Sequence, residues 1–158
     1  IVPAGLGDAE RVAEDPDSGL ALLRVYGARD LAPLALAIDA SKKGDITLVG
    51  IPDPKEQSGA KKLTEIKARL AGSNAIELRQ SVPMAGFSGA VALDAQGQVL
   101  GLMEMRNFVL ASVEPAAPPV RLITADTIRN FLVAHNVPPA QQAGDARASV
   151  VRIICVRK

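Results

Sequence analysis

Apolar residues along this chain come in short runs broken by turn-forming residues, with little sustained helical periodicity. Residues 11–14, 20–25, 45–50, 76–78, 91–93, 98–103, 120–123 and 150–156 each read as a strand, punctuated by Asp-Pro, Gly-Asp, Pro-Asp-Pro and Ser-Gly. Many short strands at this spacing predict an antiparallel barrel or sandwich. Residues 61–70 fit two periods. Leu63, Ile66 and Leu70 share a helical face, whereas Ile66, Ala68 and Leu70 alternate with Lys67 and Arg69 as in a strand. One helix is expected near the C-terminus, with Thr124 as N-cap and Asp126 in its first turn. Ile128, Phe131 and Leu132 form its apolar stripe, which stops at Asn136 before Pro138 and Pro139. Residues 138–148 read as a polar linker. Residues 150–156 are apolar on both faces apart from Arg152, which predicts a strand covered on both sides, with Cys155 a small buried hydrophobe.

Composition narrows the functional classes. A chain of 158 residues forms one domain with a sizeable core, and 48% apolar with 22% charged residues is an ordinary globular balance. A net charge of +1, 3% aromatic residues and no Trp give neither a basic field nor stacking platforms, so no nucleic-acid partner is expected. No apolar run reaches the length of a membrane span. One Cys and one His allow neither a disulfide framework nor a zinc site, so no metal and no cofactor are expected. The start at Ile1, without Met or a charged leader, reads as a processed or trimmed product.

The most specific chemistry lies in Gly86-Phe87-Ser88-Gly89 at the mouth of a hairpin. Residues 91–93 form one arm, Asp94-Ala95-Gln96-Gly97 the turn, and residues 98–102 the other. Flanking glycines let the backbone bend sharply and turn N–H groups toward one point, as an oxyanion hole requires. Ser88 is thus the candidate nucleophile, with the Gly86 backbone as oxyanion donor and Phe87 expected to face outward. A serine hydroxyl needs a base in hydrogen-bond reach, and His135 is the only histidine, in the last turn of the expected helix.

This segment resembles the nucleophile loop of trypsin-like serine proteases of the HtrA/Deg-like branch, where Gly-Asn-Ser-Gly-Gly-Pro opens the same hairpin. Three further blocks follow the family's pattern. Asp15-Pro16-Asp17-Ser18-Gly19-Leu20-Ala21-Leu22-Leu23 looks like the strand that begins with the catalytic aspartate, but Gly19 stands at that aspartate's position. Asp17, two residues earlier, fits a turn or cap residue better than a substitute acid. Gly44-Asp45-Ile46-Thr47-Leu48-Val49-Gly50-Ile51-Pro52 looks like an early strand of the family's second barrel, and residues 123–132 like its closing helix. The resemblance spans residues 10 to 136 and makes 61–70 a strand ended by Gly72.

It implies a trypsin-like antiparallel β-barrel with one C-terminal α-helix. Residues 1–37 would be a remnant of the first barrel, 38–123 the second barrel, 124–136 the helix, 138–148 a linker and 150–156 an added strand. That strand is expected to pair with residues 20–25, in this chain or a strand-swapped neighbour. Glu104, Met105 and Arg106 match the family's substrate-pairing stretch, where Ser, an apolar residue and Gly are usual, and Val82 matches the base of the specificity pocket. The family's histidine precedes its aspartate, so His135 does not match it and the strands bearing it would fall before Ile1. Two readings follow. One is a degenerate protease domain, inactive as this chain, that binds a peptide or protein segment or is structural. The other is a serine endopeptidase seen as a fragment, its histidine on a missing segment or another chain. The family also suggests a periplasmic or secreted setting.

Overall fold

The computed structural model describes residues 8–27, 32–38, 43–53, 62–72, 74–78, 87–105, 120–142 and 144–153. The first strands, β1 (Ala9–Asp15) and β2 (Leu20–Val25), form a two-stranded antiparallel sheet. A six-stranded sheet follows, built from β3 (Lys43–Gly50), β4 (Thr64–Ala71), β5 (Ile76–Leu78), β6 (Val91–Leu93), β7 (Val99–Met105) and β8 (Val120–Thr124). Its order is β5-β4-β3-β6-β7-β8, with every neighbouring pair antiparallel. A bridge between Ala75 and Arg121, and a 2.8 Å hydrogen bond from the Leu122 N–H to the Asn74 carbonyl, bring the two edges together. The sheet is a nearly closed barrel.

Period-two alternation decides the ambiguous segment. In β4, Ile66, Ala68 and Leu70 are buried while Glu65, Lys67 and Arg69 are exposed, which only an extended chain with one face on a core produces. Inside the barrel, these residues meet Ile46, Leu48, Phe87, Ala92, Leu100, Met103 and Leu122. A second cluster covers the outer face of the central strands. Val49, Val91, Leu93 and Val99 pack there with Ala146, and Leu34, Leu36 and Val150 close over them. This is why all of β6 is buried. Arg129 of the helix donates to the Ala37 carbonyl at 2.6 Å, tying residue 37 to the helix.

The hairpin and helix form as their sequences dictate. The Asp94 carboxylate accepts the N–H groups of Gln96 (2.9 Å) and Gln98 (2.8 Å), which fixes the β6–β7 turn. Helix α1 (Ala125–Ala134) starts at Thr124, whose hydroxyl accepts from the Thr127 N–H at 3.3 Å. It ends with Asn136 at φ 59°, a left-handed conformation that asparagine tolerates.

The C-terminal expectation needs correction. Residues 150–153 are not a strand and do not pair with β2. Val150 instead packs, partly buried, on the outer face of the central strands. Arg152 fixes the segment by donating to the Ile51 carbonyl (3.1 Å) and the Asp53 carboxylate (3.2 Å). Residues 138–148 are not purely a linker either, for α2 (Ala146–Ser149) begins there, capped by the Asp145 side chain. Residues 154–156, with Cys155, lie outside the described residues.

The β1–β2 turn carries a pH-sensitive contact. Ser18 donates to the Asp15 carboxylate at 2.6 Å and the Asp17 N–H at 3.1 Å, and the Ser18 bond above all holds this carboxyl below its usual 3.8. A carboxylate with a depressed pKa stabilises the fold above its unfolded value, and the contribution disappears as pH falls through the folded value. We therefore expect Asp15→Asn to lower the melting temperature at neutral pH, with the difference from wild type vanishing as the pH drops below 3.8. Thermal scans across that range check this.

Candidate functional site

The loop before β6 is built from a buried aromatic and a tight turn. Phe87 has no exposed surface and packs inside the barrel. It projects away from the groove at Ser88, but inward, against the expectation that it faces out. Gly50 makes room, because a Cβ there would lie 3.0 and 3.2 Å from the Phe87 ring and 2.9 Å from the Ala90 Cβ. Ser88 and Gly89 form the centre of a turn closed by the Ala90 N–H donating to the Phe87 carbonyl at 3.1 Å. Gly89 has φ +92°, as the third residue of a type II turn requires. Two further bonds fasten the loop to β7: Gly89 N–H to the Met103 carbonyl (2.7 Å), and Met103 N–H to the Ala90 carbonyl (2.8 Å).

Ser88 is exposed at the tip, outside any strand. Its Oγ accepts a 3.3 Å hydrogen bond from the Met105 N–H, so the end of β7 presents backbone groups to whatever lies over the serine. Two grooves meet there. One, of about 400 Å³, runs between Ser88–Ala90, Gly50–Ile51 and the segment Val150–Ile153. The other, of about 330 Å³, lies between Ser88 and the β1–β2 turn, walled by Gly19, Leu20, Glu104 and Ile123.

The remaining candidates divide clearly. Met105 packs partly on the barrel core and also lines the second groove, as does the half-buried Glu104 next to it on β7. Gly19 lines that groove at φ +70°, and Asp17 sits in the exposed turn beside it. His135 is elsewhere. Its Nδ1 lies 2.8 Å from the Phe131 carbonyl, and since a carbonyl only accepts, Nδ1 carries the hydrogen. Its ring lies tilted against Phe131 at a centroid distance of 4.6 Å and lines neither groove at Ser88. Gly86, Val82 and Arg106 lie outside the described residues. Among the described residues no group of three His, Cys, Asp or Glu could hold a metal ion, and no helix is long and apolar enough to cross a membrane. Sequence reasoning missed the groove wall formed by Gly50–Ile51 and residues 150–153, for nothing local in the chain signals that distant contact.

Comparison with known proteins gives a consistent result. The trypsin-like peptidase domain family matches residues 5–102. The active form of the Rv3671c protease from M. tuberculosis superposes with a TM-score of 0.60 at 23% identity, over 91% of this chain and 64% of that one. A serine-to-alanine mutant of Rv3671c in its inactive form gives 0.55 at 22% identity, over 87% and 68%. The inactive form of that protease gives 0.53 at 25% identity, over 80% and 66%. The chain thus spans about two thirds of the length of these solved chains. No curated protein sequence matches it.

Because Phe87 anchors the loop, Phe87→Ala should cost about 3–5 kcal/mol, the usual penalty for emptying an aromatic site in a core. Gly50→Ala should also destabilise, since its methyl meets both Phe87 and Ala90. Denaturant unfolding of the two variants measures both effects, and a Phe87→Ala loss below about 1 kcal/mol would contradict the anchoring role.

Proposed function

The chain belongs to the trypsin-like peptidase domain family, and we propose that it forms a trypsin-type site that holds an extended peptide across Ser88 without cleaving it unaided. One observation carries this reading. Ser88 stands exposed where two grooves meet, beside a backbone donor at the end of β7, while neither groove contains an imidazole among its described residues. An extended peptide would lie along the two grooves and meet the end of β7 as an added strand does. The serine hydroxyl would then contact its backbone. Without a base the hydroxyl stays protonated, and loss of a triad member typically costs several orders of magnitude in rate. The other reading, an endopeptidase completed by a histidine from outside these residues, uses the same docking geometry.

Two measurements test the proposal. A fluorophosphonate probe should not label residues 1–158 stoichiometrically, and stoichiometric labelling abolished by Ser88→Ala would contradict it. Fluorescein-labelled unfolded casein should bind, as read by anisotropy. Ser88→Tyr, which fills the meeting point of the grooves, should weaken that binding by about tenfold, equivalent to 1.4 kcal/mol. Binding indifferent to this substitution would place the peptide elsewhere.

A further inference from the structure

Two departures from the family's pattern face each other in space. Gly19 stands where the family has its acid, and Glu104 stands where it has a small residue. A Cβ added at Gly19 would lie 3.7 Å from Glu104 Oε1. An aspartate carries its oxygens only two bonds beyond its Cβ, so this glutamate oxygen borders the space into which a carboxylate on residue 19 would extend. Gly19, Glu104 and Ser88 all line the same groove. From this we infer that Glu104 supplies the acid that Gly19 lacks, delivering it from β7 instead of from the head of β2. It is a positioning residue, acting through whatever imidazole enters the groove. The inference rests on Ser88 being the reactive centre of the site proposed above.

The fold holds this carboxylate in step with the serine. Glu104 directly follows Met103, whose N–H and carbonyl both bind the Ser88 loop through Ala90 and Gly89. On its other side β7 pairs with β8, Glu104 lying in register with Arg121. Acid and nucleophile therefore share one backbone anchor, and neither shifts without the other. In a serine triad the acid fixes the tautomer of the imidazole and stabilises the imidazolium, itself remaining ionised. With Glu104 in that place the site lacks one group, the base, and not two.

Imidazole in solution can act as that base. In reaction with a fluorophosphonate, imidazole takes the Ser88 proton, the Oγ–P bond forms and fluoride leaves with the P–F electron pair. The imidazolium, steadied by Glu104, then returns its proton to solvent. The experiment follows the labelling rate of Ser88 in the 158-residue chain against imidazole concentration and pH. Wild type should gain at least tenfold from imidazole, a modest share of the roughly 10²–10⁴ that general bases contribute. The gain should rise with pH through the titration of imidazole. Glu104→Gln should lose most of it, and Gly19→Asp combined with Glu104→Ser should recover it, which a merely structural glutamate does not explain. At φ +70° any side chain at residue 19 is strained, and aspartate is among the residues that enter this region most readily. Wild type that binds casein but shows no imidazole-dependent labelling, or Glu104→Gln that keeps the full gain, overturns the inference while the peptide site stands. Wild type that binds no casein overturns both.

A second measurement reads the geometry without chemistry. In Gly19→Asp the two carboxyls would crowd one space, so one should titrate well above the ordinary carboxylate range by carboxyl-carbon NMR, and Glu104→Gln should abolish that shift. Ordinary titration of both groups would also overturn the inference.

Discussion

Everything at the candidate site depends on the burial of Phe87. The chain has three phenylalanines and no Trp, and this one is wholly enclosed in the barrel. Its ring lies close enough to β3 that position 50 admits only glycine without displacement. A buried aromatic next to a type II turn leaves the following residue little freedom, so Ser88 is carried to the surface at a fixed point. The two hydrogen bonds to Met103 then couple that point to β7. Packing thus sets the position of a polar, exposed group.

Closure of the sheet sets what surrounds that group. With Ala75 bridged to Arg121, β5 and β8 leave no open edge between them. Val150 and the residues just after it lie beside the central strands, where Val150 joins Val49, Val91 and Val99. Arg152 fixes them there through Ile51 and Asp53, and the result is the far wall of one groove at Ser88. The β1–β2 turn supplies the wall of the other. The two grooves share Ser88 and Gly89 in their lining, so the serine stands where they meet.

Much of this was legible in the chain. Strands 20–25, 76–78 and 91–93 follow from short, mainly apolar runs bounded by turn residues, and the observed bounds agree. The Thr124 cap and the Asn136 stop are local chemistry, and local chemistry survives folding. The direction of Phe87 was not legible, because nothing near Gly-Phe-Ser-Gly says that the distant Gly50 leaves room for its ring against the core. Residues 150–156 read as a strand for a related reason. Two-sided apolarity demands burial, but a strand and a covering segment satisfy that demand equally, and in residues 150–153 it is met without a strand. The departures at Gly19 and Glu104 were each visible, yet their proximity is a tertiary fact relating residues far apart in sequence. Neither departure is informative without the other.

In the proposed complex an extended peptide lies across Ser88 between the C-terminal segment and the β1–β2 turn. Amide NMR of the ¹⁵N-labelled chain titrated with an unfolded peptide tests this most directly. Perturbations are expected at Ser88–Ala90, Met103–Met105, Gly50–Ile51 and Val150–Arg152, with Arg69–Ala71 at the far end of β4 unmoved. Perturbations confined to residues outside the two grooves, with Ser88 and Met105 unchanged, would contradict it.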